Sequence, residues 1–431
     1  MNYDEALAFL RDLTKFGYNF GLGRITQLLK MLGNPQEQLK VIHIGGTNGK
    51  GSTAAMVTSI LKSAGYRVGL FSSPHLHNYT ERMTINGAEI PQEQVASLLT
   101  EIRPLLEEMV RQGFEHPTEF EVNTALALLY FARERVDLGV LEVGLGGVID
   151  STNVVNPLVA VITNVGMDHM DYLGNTLEEI TRVKAGIIKP CCQVVTAADK
   201  PEVIRIIEEV CREKQANLVR VGKDVLVEVL SSTQTGVTIN LKGPGISYEL
   251  LHTPLLGEHQ GLNAGVAVAA VKALGAYGIE IPNEAIYQGL EQVRWPARLE
   301  VMGNEPTVLI DAAHNVDGAR TLRKALDDLF SYRKLILVLG MLADKEREKV
   351  LELLAPLAEA IIVTRPNSPR AGGWEEMGGL AAKYGSQVEV IADVAEAVNR
   401  GLALAGKEDL VCITGSIYMI AEAREFILSK R

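Results

Sequence analysis

Short apolar runs alternate with amphipathic segments along most of the chain. The runs "KVIHIGG", "LGVLEVG" and "LVAVITNV" are nearly continuous in apolar residues, as is typical of parallel strands covered on both faces. The segments "STAAMVTSILKSAG" and "TLEEITRVKAGII" have helical spacing, and Thr176 and Glu179 open the second with a capping-box pattern. This alternation predicts an α/β fold with a mostly parallel sheet.

The pattern changes twice further along the chain. Between Asp224 and Leu251, short β-like runs and two turn sequences predict a small antiparallel elaboration. Near Pro296 the alternation restarts with "TVLIDAAHN", "KLILVLGML", "AIIVTR", "VEVIADV" and "LVCITGS". A chain of 431 residues also exceeds one ordinary core. We therefore predict a P-loop type N-terminal domain, residues 1–293, and a smaller Rossmann-like α/β domain, residues 294–431.

A glycine-rich segment, His43–Thr53 ("HIGGTNGKGST"), stands between a predicted strand and a predicted helix. Glycines let backbone amides approach phosphate oxygens, and a helix start adds favourable partial charge. Lys50 can reach terminal phosphates, and Ser52 offers a hydroxyl, although Gly51 separates the two, unlike in the usual P-loop. From these residues alone, the segment is either a phosphate-binding loop or a tight turn whose glycines serve geometry only.

Composition and charge narrow the function classes. Hydrophobic residues make up 47% and charged residues 22%, as in ordinary globular proteins. The net charge of -11 argues against a nucleic-acid binder, and no apolar run reaches the ~20 residues of a membrane span. The start of the chain lacks the pattern of a secretory signal, so we expect a cytoplasmic protein. The cysteines lack paired CxxC spacing and indicate buried thiols: Cys191, Cys192, Cys211 and Cys412.

Several polar residues follow predicted strands, and each has a structural alternative. Glu142 either caps a glycine turn or meets a cation, while His169 between Asp168 and Asp171 favours a functional role. Lys184, taken alone, is best read as a solvated helical lysine, although apolar neighbours would lower its pKa. The same ambiguity applies to two residues after a strand of the second domain, Asp311 and His314, and to Arg82, which would orient substrate or form a loop salt bridge.

The string "GTNGKGS" resembles the ATP loop of the Mur ligase superfamily. Within it, the order of "SSPHLHNYTERMTING", "PTEFEVNTALA", "EVGLGG", "NVGMDHMDYLG", "KAGIIK", "GEHQGLNA" and "DAAHNVDGA" is similar to the folylpolyglutamate synthases and bifunctional dihydrofolate synthases. The resemblance implies ATP-dependent addition of L-glutamate to folates, and in bifunctional members also to dihydropteroate. It implies an acyl-phosphate intermediate, with ADP and phosphate as products.

The resemblance also implies roles for particular residues. Catalytic roles fall on Lys50, Lys184, Asp311 and His314. ATP would be bound by Gly46, Thr47, Asn48, Gly49, Lys50, Gly51, Ser52, Asn263, Arg298 and Asp311. Two Mg²⁺ ions would be held by Ser52, Ser73, Glu142, His169 and a carbamate on Lys184. The folate or dihydropteroate would meet Thr118, Glu119, Phe120, Glu121, Ile149, Asp150, Ser151 and Arg82.

Two positions depart from the family pattern, and two alternatives stay open. Val148 stands where arginine is usual, which leaves the pterin preference open, and Val183 precedes Lys184 where glutamate is common. A muramyl-type ligase would carry a further domain before the loop, yet only 44 residues precede Gly45, against ~100 in a typical domain. A P-loop ATP-binding module without ligase activity would leave Lys184 without a role. We expect a monomer with small-molecule partners.

Overall fold

The computed structural model describes residues 1–17, 19–384 and 387–430. The chain divides into two compact units, and each is described by itself. The first comprises Met1–Glu228, Ile239–Leu251 and Leu262–Val293, and the second comprises Val229–Thr238, His252–Gly261 and Arg294–Arg431. Among the described residues, no helix combines the length and apolar character needed to cross a membrane.

The first unit is built on an eight-stranded sheet with the order β4-β3-β2-β5-β1-β6-β7-β8. Its strands are β1 Val41–Gly45, β2 Val68–Phe71, β3 Met83–Ile85, β4 Ala88–Glu89, β5 Leu138–Glu142, β6 Val159–Ile162, β7 Gln193–Thr196 and β8 Asn217–Arg220. The six strands from β2 to β8 along this order are parallel, and β3 and β4 add an antiparallel edge. The fully buried β1, β5 and β6 correspond to the three apolar runs of the sequence.

Helices of the first unit cover this sheet through two apolar cores. In one core, strands β2 and β5 pack against the helices near the N-terminus and the two helices that follow β4. In the other core, β6 and β7 pack against the helices that follow β6. The helices are α1 Tyr3–Leu13, α2 Gly23–Met31, α3 Lys50–Ser63, α4 Gln92–Arg111, α5 Glu119–Arg133, α6 Met170–Leu173, α7 Leu177–Ala185, α8 Pro201–Glu213, α9 His259–Ala273 and α10 Asn283–Gln292. The predicted capping box at the start of α7 is confirmed.

The predicted elaboration after Asp224 is a three-stranded sheet with the order β11-β10-β9. Its strands are β9 Leu226–Thr233, β10 Gly236–Gly243 and β11 Ile246–Thr253. Two residues separate consecutive strands, and only antiparallel pairing allows so short a connection. The antiparallel prediction is confirmed.

The second unit contains a six-stranded sheet with the order β12-β13-β17-β14-β15-β16. Its elements are β12 Glu300–Asn304, β13 Thr307–Asp311, α11 Val316–Leu329, β14 Leu335–Leu339, α12 Arg347–Leu354, β15 Ala360–Val363, α13 Glu376–Ala381, β16 Gln387–Val390, α14 Val394–Leu404, β17 Leu410–Thr414 and α15 Ile417–Ser429. The five predicted strands are present and parallel. The sequence pattern missed β12, which pairs antiparallel with β13.

Candidate active site

The glycine loop runs from the end of β1 at Gly45 to the start of α3 at Lys50. Two of its glycines have positive φ angles, 138° at Gly46 and 83° at Gly49. A Cβ atom on Gly46 would overlap the Thr163 hydroxyl, and one on Gly49 would lie 2.6 Å from Asn263 Oδ1. These two positions therefore need glycine both for backbone conformation and for space.

Side chains from the loop after β6 brace the glycine loop. The Thr163 hydroxyl donates to Asn48 O at 2.7 Å, and Asn48 N donates to Asn164 Oδ1 at 2.9 Å. Thr47 Oγ1 accepts a hydrogen bond from Gly166 N at 2.9 Å. Because the first amides of an α-helix have no acceptor within the helix, the start of α3 then provides donors for an anion.

Two lysine amines meet at one carbonyl of this loop. Lys50 Nζ donates to Gly46 O at 3.2 Å and to Thr47 O at 3.1 Å. Lys184 Nζ, from α7, donates to Gly46 O at 2.9 Å. The Lys50 ammonium at the start of α3 forms a local positive region in a chain of net charge -11, and such a region suits a polyanionic ligand.

Lys184 is buried, with only 4% of its surface exposed. The residue-based expectation of a solvated lysine is therefore wrong, because α7 turns this side chain inward to the glycine loop. Burial, followed by the charge of Lys50, lowers the pKa of Lys184 to about 7. A buried amine of this kind is partly neutral near neutral pH, and only a neutral amine reacts with carbon dioxide.

Glu142 is the last residue of β5 and is buried, with 7% of its surface exposed. Its Cα atom pairs in register with that of Ile44 on the neighbouring β1, so it lies at the same sheet edge as the glycine loop. Ser73, half-buried, follows β2 at this edge, and a cis peptide bond joins it to Pro74. The carboxyl ends of parallel strands thus bring Glu142, Ser73 and the loop to one edge.

His169 and Asp168 follow β6 at the same edge. His169 has a φ angle of 52°, and its backbone N donates to Asp168 Oδ1 at 2.9 Å. Its Nε2 lies 3.9 Å from Asp168 Oδ2, and the Asp168 charge raises the pKa of Lys184 against the stronger lowering by burial. The described part of the chain contains no group of three or more His, Cys, Asp or Glu side chains placed to bind one metal ion. A cation here would need hydroxyl, carbamate and phosphate oxygens as well as Glu142.

The donor set present suits magnesium. Ser52 and Ser73 supply hydroxyls and Glu142 supplies a carboxylate, and Mg²⁺ binds oxygen ligands with one or two carboxylates beside substrate phosphates. Burial of the Glu142 carboxylate carries a desolvation cost that a bound cation would help to offset.

Asp150 lies in the turn that follows β5, and its carboxylate is used inside the protein. Its Oδ2 accepts a hydrogen bond from Leu145 N at 2.7 Å, and its Oδ1 accepts one from Thr152 N at 2.9 Å and another from the Thr152 hydroxyl. His43 Nε2 lies 2.8 Å from that hydroxyl. Burial raises the pKa of Asp150. Of the neighbouring predicted residues, Ile149 packs against an apolar core and Ser151 is 9% exposed.

The "TEFE" segment starts α5, and its residues divide between two tasks. Thr118 and Glu121 form a capping box, and buried Glu121 also pairs with Arg24 Nε at 3.1 Å. Glu119 Oε1 accepts a hydrogen bond from Asn123 Nδ2 at 3.2 Å. Phe120 packs closely on Gly144 in the turn after β5: a Cβ atom on Gly144 would lie 2.5 Å from the Phe120 ring.

Arg82 holds the long loop after β2. Its Nε donates to His75 Nδ1 at 2.8 Å, and its guanidinium lies 4.0 Å from Glu119 Oε1 and 5.7 Å from the Tyr79 ring centre. Burial, followed by the Arg82 charge, lowers the pKa of His75 to about 4, so His75 is neutral and accepts this bond. Arg82 thus joins the loop to the start of α5.

In the second unit, Asp311 ends β13 and fixes the backbone around it. Its carboxylate accepts hydrogen bonds from Leu299 N and Ala313 N, each at 2.9 Å. Burial raises the pKa of Asp311, and the nearby charge of Arg298 opposes that shift. His314 Nδ1 lies 2.9 Å from Ala312 O, and Arg298 donates to Ala297 O at 2.9 Å.

Sequence reasoning missed several residues that shape the site. They are buried polar residues: Arg24, His43, Asn123, Thr152 and Thr163. All but Arg24 stand in or directly beside a segment that carries predicted site residues, so the position along the chain was a usable signal for those four.

Comparison with known proteins matches both units. The Mur ligase middle domain family matches residues 44–271, and the Mur ligase glutamate ligase domain family matches residues 297–417. The chain is 36% identical to the dihydrofolate synthase/folylpolyglutamate synthase of Bacillus subtilis, over 98% of each chain.

Solved structures give the same result. The Mycobacterium tuberculosis folylpolyglutamate synthase complexed with ADP superposes with a TM-score of 0.92 at 34% identity, over 99% of each chain. Escherichia coli FolC in complex with DHPP and ADP superposes with a TM-score of 0.89 at 32% identity, over 100% of this chain and 99% of that one. The chain belongs to the folylpolyglutamate synthase family of Mur ligases.

Proposed function

We propose that this protein is an ATP-dependent ligase that joins the amine of L-glutamate to a carboxylate of a folate. The observation that carries the proposal is the meeting of Lys50 and Lys184 at the Gly46 carbonyl, beside the start of α3. The relatives supply the substrate class, because a relative that matches the whole chain is a folylpolyglutamate synthase complexed with ADP. Small molecules are its only partners in this proposal, and it acts as a cytoplasmic monomer.

The proposal divides the chain between two tasks. Residues 1–293 form the ATP-binding ligase domain, and residues 294–431 form the C-terminal ligase domain. In the first, the segment from Gly46 to Ser52 binds the triphosphate, with Asn263 next to Gly49. In the second, Arg298, Asp311 and His314 serve ATP and the transferring phosphoryl group.

Magnesium and a carbamate complete the nucleotide site in this proposal. Ser52, Ser73, Glu142 and His169 would hold two Mg²⁺ ions, together with a carbamate on the buried Lys184. Bound Mg²⁺ would neutralise phosphate charge, and the carbamate would add an anionic oxygen ligand.

The chemistry begins with transfer of the γ-phosphoryl group of ATP to the folate carboxylate, which gives an acyl phosphate and ADP. The glutamate amine then attacks the acyl carbon, the C–N bond forms, and phosphate leaves with the C–O electron pair. Lys50 and the amides at the start of α3 stabilise the phosphate charge during transfer. The protein otherwise positions the reactants and keeps water from the acyl phosphate.

The folate or dihydropteroate would lie beside the start of α5 and the turn after β5. Glu119, Phe120 and Arg82 are the predicted residues whose side chains connect the loop after β2 with that turn. Three further predicted residues hold the backbone beneath this surface: Thr118, Glu121 and Asp150. Their polar groups form hydrogen bonds within the protein, such as Thr118 N to Glu121 and Leu145 N to Asp150. Val148 lies in this turn in place of the arginine usual in the family, and the choice between tetrahydrofolate and dihydropteroate is a separate outcome of the assay below.

The two alternatives are weaker. A muramyl-type ligase is disfavoured because relatives that match the whole chain are folylpolyglutamate and dihydrofolate synthases. A nucleotide-binding module without ligase activity is disfavoured because the glutamate ligase domain family matches residues 297–417.

One assay tests the proposal. ADP release is measured with L-glutamate and either tetrahydrofolate or dihydropteroate, and glutamate is omitted as a blank. We expect glutamate-dependent ADP release with tetrahydrofolate, and Lys50→Ala should lower it by roughly 100-fold or more. Lys62→Ala, at the exposed far end of α3, is the matched control and should keep full activity. AMP and pyrophosphate as products, or no glutamate dependence with either substrate, would reject the proposal.

A further inference from the structure

The C-terminal end of α7, which carries Lys184, is closed by residues from another part of the chain. Many helices end with a glycine in the left-handed conformation that satisfies the last carbonyls. Here Gly186 follows α7 with φ -62° and ψ -10°, which is right-handed. Val148 N, from the turn after β5, donates to Val183 O at 2.8 Å, a shorter bond than the local ones of Gly186 N to Val183 O and Ile187 N to Lys184 O, each at 3.4 Å.

That turn touches the helix end backbone to backbone. A Cβ atom on Gly147 would lie 2.6 Å from Val183 O and 2.7 Å from Lys184 O, and one on Gly186 would overlap Val148. No side chain separates the two segments, so a shift of the turn displaces the backbone of Lys184 directly.

Asn153 ties the turn to the helix end. It is 3% exposed, and its Nδ2 donates to Val148 O at 3.4 Å and to Gly186 O at 3.2 Å. A side-chain amide has two N–H donors, so one group serves both segments. The Asn153 backbone is itself held, because its carbonyl accepts a hydrogen bond from Lys189 Nζ at 3.1 Å.

The neighbouring Thr152 fixes the same short segment to β1. Its hydroxyl donates to Asp150 and meets His43 Nε2, which lies inside β1. The segment is thus attached to the strand that leads into the glycine loop. Lys184 reaches that loop from the other side, at Gly46 O.

We propose that Asn153 is a positioning residue for Lys184: its side-chain amide locks the turn onto the end of α7 and so fixes the lysine against Gly46 of the glycine loop. The inference depends on the proposed function only through the role of Lys184 in phosphoryl transfer. Asn153 itself does not touch the reacting atoms.

The test compares two isosteric substitutions in the full-length protein. Asn153→Asp keeps the size but removes both donors and sets a carboxylate against two carbonyl oxygens. Asn156→Asp makes the same charge change three residues away at an exposed position. If Asn153→Asp does not fold, Asn153→Ser takes its place in every measurement.

The first measurement is hydrogen exchange of the backbone amides of residues 183–188. We expect exchange at least about tenfold faster in Asn153→Asp than in the wild type, with Asn156→Asp unchanged. Wild-type exchange in the folded Asn153 variant would overturn the positioning role. This measurement needs no enzymatic activity, so it remains decisive even if the wild-type chain proves inactive and the proposed function fails.

The second measurement separates positioning from general stability. We expect Asn153→Asp to lower kcat at least about tenfold while KM for ATP changes less than about threefold, because the glycine loop itself is not altered. The wild type in ¹³C-labelled bicarbonate should show a carbamate NMR signal that Lys184→Ala lacks. Asn153→Asp should lose this signal as well. If Asn153→Asp shows faster exchange at the end of α7 but keeps the wild-type kcat and carbamate signal, the link between Asn153 and Lys184 is overturned.

Discussion

His43 lies inside β1 and is completely buried. The Thr152 hydroxyl donates its hydrogen to Asp150, so its oxygen must accept from His43 Nε2–H, and His43 Nδ1 carries no proton. Among the residues that the structure describes, none is a hydrogen-bond partner of that Nδ1. Burial, followed by the Lys189 charge, lowers the pKa of His43 to about 3. This histidine is therefore a neutral structural donor.

The free energy of unfolding should record that shift. Unfolded His43 takes up a proton below its ordinary pKa of 6.5, whereas folded His43 resists protonation down to about 3. Its contribution to stability is therefore present above about pH 6.5 and is lost as pH falls toward 3. We expect the free energy of unfolding, measured in urea, to fall between pH ~7.5 and pH ~5 in both proteins. The fall should be about 2 kcal/mol smaller in His43→Leu than in the wild type.

His116→Leu controls for the loss of an imidazole, since His116 is only partly buried. It should follow the wild-type pH dependence more closely than His43→Leu does. Parallel pH curves for wild type and His43→Leu would show that His43 does not titrate in this way.

At the level of elements, burial decided what the sequence could predict. Strands β1, β5 and β6 are apolar throughout because both faces are covered, so their pattern was unambiguous, and the strand-end position of Glu142 followed. Strand β12 was missed because its "EVMGN" sequence is short and half-buried. The internal use of Glu121 was also missed, because its partner Arg24 lies 97 positions away.

The turn into α3 gives a prediction at this scale. Gly49 and Gly65 flank the helix with φ angles of 83° and 89°, so alanine at either costs about 1–2 kcal/mol of backbone strain. Of these two positions, Gly49 would bring the new Cβ against Asn263, whereas at Gly65 the described part of the chain places nothing within 4 Å of it. We expect Gly49→Ala to raise KM for ATP on the order of 10- to 100-fold.

Gly65→Ala is the matched control, with the same backbone strain and an unchanged KM. Thermal unfolding should show the backbone strain in both variants and a further loss in Gly49→Ala from the contact with Asn263. Equal KM values in the two variants would mean that the loop tolerates displacement by Asn263.

At the scale of the whole molecule, the net charge of -11 opposes ATP, which is itself an anion. Binding must therefore depend on a local field, and the Lys50 ammonium and the amides at the start of α3 supply one. The sequence predicted Lys50 from the loop pattern, but residue-level reasoning left Lys184 in solvent. Only the packing of α7 shows that the Lys50 and Lys184 amines meet.

Nucleotide should therefore stabilise the folded chain through Lys50 and the start of α3. MgATP at about 100 times its Kd should raise the free energy of unfolding by about 2.7 kcal/mol. Lys50→Ala should lose most of that gain in a thermal shift measurement, and Lys62→Ala should keep it. Chelation of magnesium should reduce the wild-type shift, and an undiminished shift after chelation would contradict the metal ligands assigned here.

The position of Val148 in an exposed turn bears on how the protein can evolve by substitution. Its backbone N–H is committed to Val183 O, while 46% of the residue's surface remains exposed. The main chain at this position is fixed by the bond to α7, and the side chain has its Cβ against Gly186 and its outer part exposed. If the pterin lies beside this turn as proposed, we expect substitutions of the exposed part of Val148 to change ligand preference and to leave the bond to α7 in place.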